Sequence, residues 1–234
     1  LHAALSTLHN DNNLAHIAFS SIPLPVSLVS QLALPSPPAS YLELLPQGGD
    51  GSLPWYTSAG SSTPDDDVLV CFASSSSPTN QGQLDTWAFA LPTVHGYFAG
   101  VGDLFSAMVL AHFDPERPSS TGGTDLSPLA YAVSKALMAV QQILLLTHLH
   151  SLSRSQISDA GTATPRPLHH PVASSAVIPT DNELDSMETR AGDPKRKAKR
   201  MKLRELRIIP ERRRLTAEGE GWPGKKLDWE SLLQ

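Results

Sequence analysis

The stretch Gly96-Tyr-Phe-Ala-Gly-Val-Gly-Asp-Leu-Phe-Ser-Ala-Met-Val-Leu-Ala-His-Phe113 sets the terms on which the rest of the chain is read. Three glycines, Gly96, Gly100 and Gly102, precede a carboxylate, Asp103. The residues after it are apolar at helical spacing, so that Leu104, Ala107, Met108 and Ala111 fall on one face. The pattern predicts a glycine loop that opens a buried helix. The first N–H groups of such a helix lack partners within it, and with the helix dipole they attract an anion such as a phosphate. Gly100 and Gly102 let that backbone approach a ligand closely. Asp103 has two readings here. One is a helix N-cap; the other is a general base that takes the proton from a substrate alcohol as its oxygen attacks a phosphoryl group. Two other phosphate motifs are excluded: no Gly-Lys-Ser or Gly-Lys-Thr occurs, and Phe105 stands where a dinucleotide fingerprint needs glycine or alanine.

The wider stretch resembles the signature of pyridoxal kinases in the ribokinase-like superfamily, which reads Gly-Thr-Gly-Asp-Leu-Phe followed by small and apolar residues. Val101 replaces the usual threonine and removes a hydroxyl that could help hold phosphate or a cation. The resemblance implies Asp103 as catalytic base and Gly100, Val101 and Gly102 as the phosphate cradle. It also implies ATP with a divalent metal such as Mg2+, and pyridoxal or a related B6 vitamer as acceptor. In that family a helix leads into an apolar strand ending in a Ser/Thr pair near the nucleotide phosphates. The matching hydroxyls are Ser20 and Ser21, whose other reading is satisfaction of backbone at a strand end. The segment before the motif lies against the nucleotide, which points to Val94, His95 and Gly96; as a lone histidine, His95 also reads as a solvated loop residue. Arg204-Glu-Leu-Arg-Ile-Ile-Pro210 resembles the family's final Glu-Leu-Arg strand.

Composition is consistent with a soluble globular chain: 234 residues, 40% hydrophobic and a net charge of −5, which argues against a nucleic-acid binder as a whole. The apolar run Ala139–Leu149 is interrupted by Gln141, Gln142 and His148 and falls short of the roughly 20 residues a membrane span needs. Cys71 is the single cysteine, in the apolar run Val68-Leu-Val-Cys-Phe-Ala, and reads as a small hydrophobe in a buried strand within a reducing compartment.

In chain order, Leu1, Ala4, Leu5 and Leu8 mark a helix. His16–Ile22 reads as a strand that Pro23 and Pro25 end, and Tyr41–Leu45 as a short strand or turn of helix in a Pro/Ser/Gly-rich loop that runs to Asp67. Asp65, Asp66 and Asp67 read as solvated loop rather than metal ligands. After a second polar loop, Ser74–Asp85, Thr86–Val94 reads as a strand. Ser127 with Pro128 marks a helix start, with Leu129, Val133, Ala136, Leu137, Val140 and Leu144 on its buried face and its end at His148 or beyond. Residues 151–200 read as a disordered insertion that ends in the basic run Lys195–Lys202, a nuclear-import or anion-contacting segment or simply a solvated linker. Beyond Arg212 the expectation is a mobile tail, with Trp222 and Trp229 weakly docked.

The fold expected is therefore α/β, a ribokinase-like layered sheet with flanking helices, represented by its C-terminal part only and carrying long insertions. Residues 1–150 form the kinase part with the phosphate loop, 151–200 the insertion, and 201–234 a final strand and tail. A truncated gene model or fragment, with the acceptor pocket in a missing N-terminal half and little activity alone, follows from the resemblance. So do a homodimer at full length and a cytoplasmic setting, with entry to the nucleus through the basic run. The contrasting reading is an inactive interaction module that uses the basic segment to hold an anionic partner; a related sugar or vitamin kinase would differ only in acceptor.

Overall fold

In the computed structural model, residues 1–45, 67–76, 84–92, 94, 98–117, 126–159, 205–216 and 219–232 are described. They form helices α1 (His2–Asn10), α2 (Val26–Leu32), α3 (Ala39–Leu42), α4 (Val101–His112) and α5 (Pro128–Asp159). The strands are β1 (His16–Pro25), β2 (Asp67–Ser76), β3 (Leu84–Leu91) and β4 (Lys225–Lys226), and Trp229–Leu232 adds a closing helical turn. The fold is mixed α/β, built on one antiparallel sheet in the order β1-β2-β3-β4. The chain divides into two compact units. The first comprises 1–93, 102–142 and 212–234 and holds the sheet; the second comprises 94–101 and 143–211.

The register explains the composition of the strands. Val70 pairs with Ala90, Phe72 with Ala88 and Ser74 with Thr86, so alternate residues of β2 and β3 share a face. On that face Val68, Val70, Phe72, Ala88 and Ala90 form a buried cluster with Leu227, covered by Val26, Val29 and Leu32 of α2. Leu5 of α1 adds a second cluster with Ile17 and Leu84. The opposite face is also apolar, since Cys71, Ala73, Trp87, Phe89 and Leu91 are buried too. Burial on both faces makes β3 a continuous hydrophobic strand rather than an alternating one.

Several expectations change here. β1 does not end at its prolines but continues to Pro25; as a terminal strand of the sheet it tolerates residues without an N–H. The loop 74–85 is narrower than expected, because Ser74–Ser76 and Leu84–Asp85 belong to the ladder. Of the two readings of the stretch at Tyr41, the turn of helix is the one formed. The buried face of α1 is Leu5 and His9, with Ala4 and Leu1 exposed.

α5 starts at Pro128 as the capping sequence predicts, and the Tyr131 N–H donates to the Ser127 carbonyl (2.8 Å). It continues to Asp159, so residues 151–159 are helical rather than the start of the insertion. It is also buried nearly all round, including Lys135, Gln141 and Gln142, where a single apolar face is expected. Pro128–His150 is 23 residues long and apolar enough to cross a membrane, but 89% of its apolar window lies inside the protein, as in a core helix.

The C-terminal part differs most. Of the predicted strand 204–210, the described residues keep one parallel bridge, Glu205 to Ala99, within the second unit; there Arg207 N–H also donates to Thr147 Oγ1 (3.1 Å). The last strand is instead β4, and the tail expected to be mobile is docked: Trp222 is fully buried. The remainder of the expected insertion (160–200), with its basic run, as well as Asp65, Asp66, His95 and Gly96, lies outside the described residues.

Candidate functional site

Gly100 has φ +84°, a left-handed conformation that other residues adopt only with strain, and α4 begins at the next residue. A Cβ added at Gly100 or Gly102 would meet nothing within 4 Å among the described residues. Internal packing therefore does not explain the second glycine. With α4 starting at Val101, Gly102 and Asp103 both lie in its first turn, where N–H groups have no intrahelical acceptors.

Asp103 is consequently the third helical residue, two positions past the first, and is not the N-cap of α4. Its side chain is exposed. A carboxylate in the first turn of a helix is favoured there by the helix dipole. The buried face of α4 is Phe105 and Met108, with Val101, Leu104 and His112 half-buried; Ala107 and Ala111, expected inside, are exposed, and Leu110 is 76% exposed. The helix is therefore rotated relative to the expectation, because Phe105 rather than Ala107 supplies the larger apolar surface.

Ser20 and Ser21 are not at a strand end. Phe19 pairs with Phe72 and Ile22 with Val70, so the two serines together oppose Cys71 in a β-bulge. Ser21 takes φ +58°, and both side chains are exposed. Val94 is described and half-buried. Hydroxyl pair and glycine turn are thus both accessible, but no contact that the structure describes brings them together. Cys71 is fully buried, and burial pushes its thiol well above the usual range, so it is not a nucleophile.

Sequence reasoning missed a buried polar chain. His9 Nδ1 lies against the Leu14 carbonyl; His9 Nε2 is 2.9 Å from Ser74 Oγ, which is 3.1 Å from Thr86 Oγ1, and Trp229 Nε1 donates to Thr86 Oγ1 (3.1 Å). Since a carbonyl only accepts and an indole N–H only donates, His9 donates through Nδ1 to Leu14 at one end of the chain and Trp229 donates to Thr86 at the other. Ser74 is fully buried, so this Ser–His contact ties α1, β2 and β3 together and presents no nucleophile. The signal was present only as a histidine five residues before Leu14 and two hydroxyls within apolar strands.

At the other end of α4, the Phe113 ring meets His16 edge-on (4.9 Å). His16 and His112 are both held below the ordinary histidine range, mainly by desolvation, with His9 and Lys135 respectively adding repulsion. Lys135, in the buried part of α5, donates to the Gly219 carbonyl, and Arg117 lies 3.4 Å over the Tyr131 ring. Among the described residues no group of three His, Cys, Asp or Glu side chains is placed to hold a metal ion. Neither a family model nor a curated protein matches this chain.

Proposed function

We propose that the chain is the C-terminal part of an ATP-dependent pyridoxal kinase with a ribokinase-like fold. The observation that carries this reading is the turn at α4: a left-handed Gly100, unencumbered Gly102 and an exposed Asp103 in the first helical turn, in a stretch that resembles the pyridoxal kinase signature. The combination of helices with one open sheet is compatible with that fold at the coarse level of its mixed α/β class.

In this reading the free N–H groups at the start of α4 face the transferring phosphoryl group and stabilise its charge. Asp103 accepts the proton of the primary alcohol of pyridoxal as the alcohol oxygen bonds to phosphorus and the bond to ADP breaks. Val101 offers no hydroxyl to this turn, so phosphate binding rests on the backbone. The reading also calls for a divalent metal on the triphosphate, as the resemblance implies. A homodimer in the cytoplasm belongs to the same proposal.

The test is ATP-dependent formation of pyridoxal 5'-phosphate, followed by its absorbance, in a protein carrying this sequence. Asp103→Asn is expected to lower turnover by roughly 10²- to 10⁴-fold with ATP affinity nearly unchanged. Near-normal turnover in that variant would reduce Asp103 to a helix-dipole partner. One observation favours a second reading: 11 of the 18 Lys and Arg residues lie between Lys195 and Arg214, a concentration suited to an anionic surface. Salt-sensitive binding to such a surface, with no phosphorylation of pyridoxal, would select the inactive interaction module.

A further inference from the structure

The segment Gly219–Leu232 is tied by side-chain and main-chain bonds to parts of the chain distant in sequence. The Trp222 N–H donates to the Ser134 carbonyl (3.0 Å), and its carbonyl accepts from Ser134 Oγ (2.7 Å). Its ring N–H donates to the Ala90 carbonyl (2.8 Å), and the ring stands edge-on to Tyr41 at 5.0 Å. Further along, Lys225 Nζ donates to the Leu32 carbonyl (2.8 Å) and Lys226 pairs with Asp85 (2.7 Å). The Leu227 N–H donates to the Thr86 carbonyl (2.8 Å), and the Trp229 ring reaches Thr86 Oγ1.

Two glycines complete the fit. A Cβ on Gly221 would come within 2.3 Å of Ser134 Oγ, and one on Gly224 within 2.3 Å of the Phe89 ring, so the backbone touches both surfaces directly. This is the chemistry by which an extended peptide adds to a sheet edge: main-chain bonds give affinity, while anchors in pockets give register. All of these partners lie between Leu32 and Ser134, so none of the contacts is made with residues that adjoin the strap in sequence.

We infer that the surface formed by β3, Tyr41 and Ser134 is a peptide-docking site, and that its occupant can be the same strap from a second copy of the chain. Reciprocal exchange then joins two copies through contacts already present in one. In a single chain the strap meets its own groove at an effective concentration on the order of millimolar, so exchange shows itself when docking in cis is disabled.

Two full-length variants test this. Trp222→Ala removes the anchor and leaves the groove; Ser134→Leu fills the space that Gly221 occupies and leaves the strap. Mixed in equal amounts, they are expected to give a species of twice the mass of either alone by sedimentation, containing one copy of each. A mixture that sediments as the separate variants overturns the inference. Because either substitution can impair folding, a second experiment keeps the sequence intact except for a protease site between Thr216 and Gly219. After cleavage the strap is expected to stay with the body through gel filtration. A labelled peptide of residues 219–232 should replace it, with uptake about 100-fold greater than by the uncleaved chain. The same peptide carrying Trp222→Ala should not be taken up. Loss of the strap on cleavage, precipitation of the body, or equal uptake of both peptides overturns the inference.

Discussion

Gly221 lies where the C-terminal strap crosses α5, and Gly221→Ala measures how closely the two are packed. Its backbone is outside the left-handed region, so alanine is conformationally acceptable there and by itself would stabilise by about 0.4–1 kcal/mol through the unfolded chain. The obstacle is steric. The new Cβ would lie 2.3 Å from Ser134 Oγ, more than an ångström inside ordinary contact, and that hydroxyl is held by its bond to the Trp222 carbonyl. Relieving the overlap means rotating Ser134 away from its acceptor or lifting the strap, a net loss of about 1–3 kcal/mol. Ser134→Ala alone should cost about 1 kcal/mol for the lost hydrogen bond. With Ser134→Ala already in place, the nearest atom to the new methyl is the Ser134 Cβ at 3.4 Å, so adding Gly221→Ala should then cost almost nothing. The double-mutant cycle should therefore show a coupling of about 1–3 kcal/mol, read from urea unfolding followed by tryptophan fluorescence. Two of the four tryptophans, Trp222 and Trp229, report on the strap itself. Strictly additive losses would mean that Gly221 does not rest on Ser134, and would remove the strap from its described place.

Ser74→Ala should destabilise by about 1–3 kcal/mol in the same assay, because it leaves His9 Nε2 without a partner inside the protein and the Thr86 hydroxyl with the Trp229 indole N–H alone. A change below a few tenths would show that water replaces the serine. His16 and His112 have lowered folded-state pKa values, so the unfolded chain binds more protons below about pH 6.5. Stability should be flat above that pH and fall as acid is added through the window between 6.5 and the lowered values; replacing both with Gln should flatten the fall, and an unchanged slope would assign it elsewhere. Cys71 should resist a maleimide reagent in the native protein and react fully in denaturant, since its thiol is buried and its ionisation suppressed. Rapid native labelling would contradict its place in β2.

The helices and strands that a short window decides were legible in the sequence. α1, β2, β3, α4 and the start of α5 follow from apolar spacing and from Ser127-Pro128, which act within one or two turns of chain. What could not be read was decided at long range. Nothing local in Gly-Trp-Pro-Gly-Lys-Lys shows that Trp222 enters a pocket formed by Tyr41 and Ala90, and sparse periodicity therefore suggested mobility. The two prolines of β1 were read as terminators because their tolerance depends on being at the side of a sheet, a property of topology. At the candidate site, the glycine turn was visible from residue types alone. The rotation of α4 was not, since Phe105 and Ala107 compete for the same interior and only packing chooses between them.

The bulge and prolines of β1 also bear on how the protein behaves when concentrated. A terminal strand of ten residues is an invitation to stack with foreign strands. In β1 the ladder is interrupted at Ser20–Ser21, and Pro23 and Pro25 remove two donors beyond it. Only His16–Phe19 remains as regular, proline-free edge, a length of about 13 Å, too short to template an ordered fibril. Replacing Pro23 and Pro25 with β-branched residues would lengthen that edge without touching the core, and colloidal stability is where the change would be felt.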